Sequence, residues 1–225
     1  MLINHRDGEI SPANAEGCQL DSRIGVFTLT ELLARGKSAY SYLAEGPEGS
    51  AVVKLMHHEP CPYYDFGDNN KVDLEVAAYQ RLQQLGIAVP ELLTHDREHG
   101  YLIKTFLDGP TVSELVIAQA LNEACVAQVF TMANSLKSAG LNIDYFPDNF
   151  VWLQGRLFYV DYEHNPYDSH WDLRNWGLYY WANSEGMKRF KQNGQVDAIN
   201  IAINSGEPIK APFEAQVAAW ASKYE

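Results

Sequence analysis

The sequence predicts an α+β protein in two parts: a β-rich first half holding one helix, and an α-rich second half holding one β-hairpin. Three observations predict it. Short apolar runs separated by Gly- and Ser-containing turns fill residues 27–56, as strands do. Apolar spacing of three and four first appears at residues 71–85 and points to a helix inserted among those strands. Beyond Asp108-Gly109-Pro110 the composition turns helical, interrupted by two apolar runs hinged at Gln154-Gly155.

Residues 1–22 are polar and read as a loosely ordered lead-in. FTLTELLA and AYSYLAEG are strands around the turn RGKS, and GPEGS leads into a third strand, AVVKLM. HHEPCPYYDFGDNN, residues 57–70, is dense in Pro, Gly, Asp and Asn and reads as an irregular loop. Val72, Val76, Tyr79 and Leu82 then form one helical face, which Gly86 ends. YLIKTFL, residues 101–107, is a buried strand, and the break after it sets the expected boundary: residues 1–107 form one lobe, 108–225 the other, with a hinge at 105–108. TVSELVIAQAL and a longer helix ending near Gly140 follow, then the hairpin FVWLQ–RLFYV, then a mostly helical remainder rich in aromatic residues.

At 225 residues, 46% hydrophobic and 20% charged, the chain suits one large domain or two small lobes. A net charge of −12 disfavours nucleic acid and anionic membranes as partners and suits a cationic substrate. Cys18, Cys61 and Cys125 are irregularly spaced and read as reduced thiols. The start, MLINHRDGEI, lacks the apolar run of a signal peptide, and no stretch approaches membrane-spanning length. The expected location is the cytoplasm.

The chemistry collects around the hairpin. Asp144 and Asn149 precede it in NIDYFPDNF, and Asp161 follows it in FYVDYE. An antiparallel hairpin brings its two ends about 5 Å apart, so Asn149 and Asp161 are expected to be neighbours. An amide oxygen and a carboxylate at a loop mouth suit Mg²⁺, which takes its remaining ligands from phosphates and water. Asp144 is placed to accept a proton from an attacking hydroxyl. In the first half, Lys54 is a charge inside the apolar strand AVVKL, which is costly without a partner, and Glu75 shares the inward face of Tyr79 and Leu82.

This order of segments resembles the protein-kinase-like fold, in the branch of aminoglycoside phosphotransferases and choline kinases. The resemblance covers roughly residues 25–182 and implies a bilobal fold. It implies a catalytic Asp144, metal-binding Asn149 and Asp161, and a Lys54–Glu75 ion pair that positions Lys54 on ATP phosphates. It also makes Asp65-Phe66-Gly67 a decoy, since the metal-binding triplet of the family corresponds to Asp161-Tyr162-Glu163. In ARGKSAY only Gly36 remains of the family's glycine-rich loop, with Lys37 and Ser38 beside it to contact phosphates through backbone amides and side chains. YLIKTFLDG resembles the hinge strand that meets the adenine edge, with Thr105 to Leu107 as the contact segment. Glu163 and Asp172 match further family positions, the latter as support for the catalytic loop.

The implied activity is transfer of the γ-phosphate of ATP, with Mg²⁺, to a hydroxyl of a small molecule or a protein. The sequence departs from the family at Asn142, where His is usual, and at Phe146, where protein serine/threonine kinases have Lys. No Ala-Pro-Glu-like segment follows Asp161. These departures point away from an ordinary protein kinase and towards a small acceptor. A nucleotide-binding pseudokinase and a small protein kinase with one dedicated partner remain as alternatives. The aromatic residues Tyr167, Trp171, Trp176, Tyr179, Tyr180 and Trp181 have two readings: core packing, which their spacing favours, and an aromatic, acidic pocket for an amine. His57, His58 and Cys61 do not make a structural zinc site, because adjacent histidines do not converge on one ion. His164 and His170 read as contacts of neighbouring side chains or solvent.

Overall fold

A computed structural model describes residues 2–3, 11–60 and 66–225. The chain is a mixed α/β protein that divides into two compact units, Met1–Tyr79 with Pro90–Leu107, and Gln80–Val89 with Asp108–Glu225. The segment 80–89 belongs with the second unit, although it precedes the expected boundary at 107. No helix among the described residues is long and apolar enough to cross a membrane.

The first unit is organised by a seven-stranded sheet. In chain order its strands are β1 (Leu2–Ile3), β2 (Gln19–Ser22), β3 (Gly25–Arg35), β4 (Ala39–Gly46) and β5 (Gly49–Met56), then, after helix α1 (Lys71–Gln84), β6 (Leu92–Asp96) and β7 (Tyr101–Thr105). Their order across the sheet is β1-β2-β3-β4-β5-β7-β6, every pairing antiparallel. Period-two alternation puts Tyr40, Tyr42 and Ala44 of β4 into a core with Phe27, Leu29, Val53, Leu55 and Ile103. The lead-in is more ordered than expected: Leu20 is buried, and β2 pairs with β3 from Gln19↔Thr28 to Ser22↔Gly25. QLDS is too short and polar to announce a strand, and its partner supplies what propensity does not. Helix α1 begins at Asn70, whose Oδ1 accepts the amides of Val72 (3.0 Å) and Asp73 (3.2 Å). It ends at Gly86, in the left-handed region (φ 73°), with the Ile87 amide on the Leu82 carbonyl.

The second unit is helical around a small hairpin. Helices α2 (Val112–Ile117) and α3 (Glu123–Ser138) lead to strand β8 (Leu141–Asn142). The hairpin β9 (Phe150–Leu153) and β10 (Arg156–Tyr159) follows, and then β11 (Asn165–Pro166), which pairs with β8. Gln154 and Gly155 both take positive φ (50° and 80°), the geometry of the two-residue turn that their sequence announces. A π-helical turn, Leu173–Gly177, runs into α4 (Leu178–Ala182), followed by α5 (Ser184–Asn193) and α6 (Glu214–Tyr224). The remainder is thus less helical than expected. Gly194 ends α5 in the left-handed region, and residues 199–209 form a loop closed by the Asn200↔Pro208 bridge. The core gathers Val126, Val129, Phe130 and Leu136 of α3, Phe150, Leu157 and Tyr159 of the hairpin, and Leu178, Tyr180 and Trp181.

Cys18 and Cys125 are buried free thiols, and burial pushes the Cys125 thiol up to about 12, so it stays protonated and unreactive. Cys61 lies outside the described residues.

Candidate functional site

In the second unit, residues 143–149 form the loop between β8 and β9, and several of its side chains, with Asn142 before it, are held by neighbouring elements. Tyr145 is buried, and its carbonyl accepts the indole N–H of Trp181 at 2.9 Å. Its Cβ lies against Gly177 so closely that an added Cβ there would meet it at 2.5 Å, a distance only glycine tolerates. Phe146 packs edge-on against Tyr180 (5.1 Å) and Phe190 (6.0 Å). Asn142 is buried and donates its amide to the Asp168 carbonyl at 2.9 Å, so it ties down the chain after the hairpin by hydrogen bonding. Asp148 pairs with Lys191 at 2.9 Å. With its neighbours so held, Asp144 is fixed in direction, and its Oδ1 accepts the Phe146 amide at 2.9 Å.

Asn149 is tied to both sides of the hairpin mouth. Its Nδ2 donates to the Asp144 carbonyl (3.4 Å), and its own carbonyl accepts the Val160 amide (2.8 Å), one residue before Asp161. With Nδ2 so committed, Oδ1 is the atom Asn149 can offer a cation. Asp161 Oδ1 accepts the Tyr162 amide at 3.0 Å. The charges of Asp161 and Glu163 both act on Asp144. The structure therefore brings Asp144, Asn149, Asp161 and Glu163 into one neighbourhood. Asp144 is solvent-exposed, and the protein atoms around its carboxyl remove only part of its hydrating water. That desolvation, reinforced by Asp161 and Glu163 and opposed by the Phe146 amide and Asn149, lifts Asp144 to about 6.

Tyr159, which the sequence reading did not single out, lies at the floor of this cluster. It is fully buried, its hydroxyl donates to the Glu163 carbonyl at 3.3 Å, and burial raises its pKa well above that of an ordinary phenol. The period-two pattern of RLFY, with Leu157 and Tyr159 on one face, carried that signal. Asp172 supports the region at one remove. It caps the π turn by accepting the Asn175 amide (2.7 Å) and accepts the Tyr167 hydroxyl (2.9 Å).

Of the aromatic residues, Tyr180 and Trp181 are buried, as core packing requires, whereas Trp171 is exposed. Trp176 lies edge-on to Tyr180 at 4.8 Å and to Trp171 at 5.8 Å. The Tyr180 hydroxyl shares its single proton between Asn200 Oδ1 (2.7 Å) and the Gly206 carbonyl (3.0 Å). Burial raises its pKa, and so do the charges of Asp144 and Glu207, which places this buried ring near two carboxylates. His170 bonds to Glu207, and burial lowers the pKa of His164.

In the first unit, Lys54 and Glu75 form a buried ion pair of 2.7 Å, with side chains 8% and 9% exposed. Strand β5 turns Lys54 inward among apolar neighbours, and α1 delivers Glu75 to it. The Ser38 hydroxyl joins Glu75 Oε1 at 3.3 Å, so Ser38 touches the ion pair. The turn holding Gly36, Lys37 and Ser38 is closed by the Gly36 amide on the Ala39 carbonyl (2.8 Å), which removes that amide from any phosphate cradle. The Thr105 amide and hydroxyl are likewise engaged, by the Glu91 carbonyl (2.9 Å) and amide (3.0 Å). Leu107 is half-buried. Asp65 lies outside the described residues; beside it the Phe66 ring lies 4.2 Å from Lys71 Nζ.

No protein-family model matches the chain, and no curated protein matches it significantly.

Proposed function

We propose that the chain is an ATP- and Mg²⁺-dependent phosphotransferase with a bilobal kinase-like fold, acting on a hydroxyl of a small molecule. The observation that carries this reading is the Asp144 neighbourhood: a carboxylate raised to about 6 beside the Asn149 side-chain amide and two further acids. Like charges held close together are costly, and a bound cation is what relieves them. Among the described residues no three His, Cys, Asp or Glu side chains are arranged to hold a metal alone. Asn149 and Asp161 instead fit Mg²⁺, which is commonly held by one or two carboxylates with substrate phosphates completing its shell. When bound there, Mg²⁺ would neutralise phosphate charge.

In this reading Lys54 pairs with the nucleotide phosphates and Glu75 keeps its ammonium in place. Asp144 orients the acceptor hydroxyl and takes its proton. Its pKa near neutrality suits that role, since a stronger acid would hold the proton poorly. The carboxylates favour a cationic acceptor, and the half-buried Trp176 ring packed on Tyr180 would add a cation–π contact of about 0.5–2 kcal/mol.

The test is ADP release from Mg²⁺-ATP across a panel of amino-alcohols, sugars and amino-sugars. Turnover with one of them, abolished by EDTA, is the expected result. A Tm raised by Mg²⁺-ATP with no ADP release for any acceptor would replace this reading by a nucleotide-binding scaffold. Labelled phosphate reaching only a protein in lysate would replace it by a dedicated protein kinase.

The pH profile is a second check. A general base raised to about 6 is active when ionised, so kcat/KM should fall tenfold per unit below about pH 6. An acid limb at 4 would mean that Asp144 is ordinarily solvated and not the base.

A further inference from the structure

Segment 57–59, directly after β5, is bonded to both ends of the Gly36–Ser38 turn. The His57 amide donates to the Ser38 carbonyl (3.0 Å), and His57 Nε2 bonds the Gly36 carbonyl (3.0 Å). The Glu59 amide donates to His57 Nδ1 (3.2 Å), which makes Nδ1 the acceptor and leaves Nε2 as the N–H donor. His57 is 6% exposed, with the Tyr40 ring edge-on to its imidazole at 5.0 Å. The Glu59 carboxylate takes the Tyr40 hydroxyl (2.8 Å) on one oxygen and Arg35 (2.5 Å) on the other. Lys71 Nζ fixes the His57 carbonyl at 2.6 Å.

We propose that His57 is a positioning residue that holds the Gly36–Ser38 turn ready for nucleotide phosphates. The proposal rests on the reading that this turn meets the nucleotide. A turn with a single glycine and its first amide already spent does not gain affinity by folding around a ligand. It gains affinity by being ordered beforehand, so that binding orders no further chain. The His57 clamp supplies that order, and only a side chain presenting an N–H at the Nε2 position replaces it. Glutamine reaches that far; asparagine, one carbon shorter, does not.

The experiment is titration calorimetry of the full chain with the Mg²⁺ complex of a non-hydrolysable ATP analogue and, separately, with adenosine. His57→Ala is expected to weaken the ATP analogue about five- to tenfold, the loss of one or two hydrogen bonds, and to leave adenosine unchanged. His57→Gln should restore wild-type affinity for the analogue and His57→Asn should not. If the wild type binds the analogue and His57→Ala binds it equally well, the clamp has no role. If analogue and adenosine weaken together, His57 is merely structural, and the proposal is again overturned. If His57→Ala does not fold, equal affinities in the Gln and Asn variants overturn it. A wild-type chain that binds neither ligand overturns the nucleotide reading itself, a result distinct from all of these.

Discussion

Asp144→Asn is expected to lower kcat about 10²- to 10⁴-fold, the usual contribution of a positioned general base, with little change in nucleotide affinity. The same substitution should raise the Tm at pH 7. Folding lifts the Asp144 pKa from 3.8 to about 6, so the folded state holds that proton more tightly than the unfolded chain. Its contribution to stability is therefore full below about pH 3.8 and is lost as pH rises through about 6. Above that the ionised carboxylate destabilises the fold, and a neutral amide, which still accepts the Phe146 amide, removes the burden. The stability gain should disappear in melts near pH 3.5. A variant that loses activity and gains stability only at neutral pH has the signature of a strained functional group. Unchanged kcat, or a Tm gain equal at every pH, would contradict the assignment.

Lys54→Met is expected to destabilise the protein by on the order of 3 kcal/mol, because it takes the cationic partner from a buried carboxylate. For a unit of this size that lowers the Tm by roughly 10 °C or more. The Ser38 hydroxyl stays on Glu75 and moderates the cost. Adding Glu75→Leu should recover most of the loss, since a well-packed apolar pair often replaces a buried ion pair without penalty. The double variant should nonetheless be inactive. Stability regained without activity would show that the pair is retained for chemistry; a single-variant loss below about 1 kcal/mol would show that the pair is hydrated.

Much of the architecture was legible because packing and pattern agreed. AYSYLAEG alternates as its inward Tyr40, Tyr42 and Ala44 demand, and Gln154-Gly155 announces its turn. The acids around the hairpin were legible for a topological reason: two strands joined tightly force their ends together. What was hidden depends on distant partners. QLDS and LLTHD become strands because β3 and β7 offer open edges to pair with. The engagement of Thr105 follows from Glu91, fourteen residues away, which no local pattern encodes. Nor is a charge in an apolar strand a unique sign: Lys104 of β7 is as buried as Lys54. What distinguishes Lys54 is the helix that brings Glu75 to it.

The π turn before α4 holds one residue more than an α-helical turn would, and each residue advances a helix by about 100°. The turn opens the helix at the Asp172 cap, so the phase of everything after Gly177 is counted through it, and this phase decides that Tyr180 reaches Phe146 while Trp181 reaches the Tyr145 carbonyl. The length of residues 173–177 thus acts as a setting for the aim of a carboxylate thirty residues upstream. Evolution can exchange side chains there, but adding or removing one residue would rotate the supporting rings away and leave the acid-bearing loop unsupported.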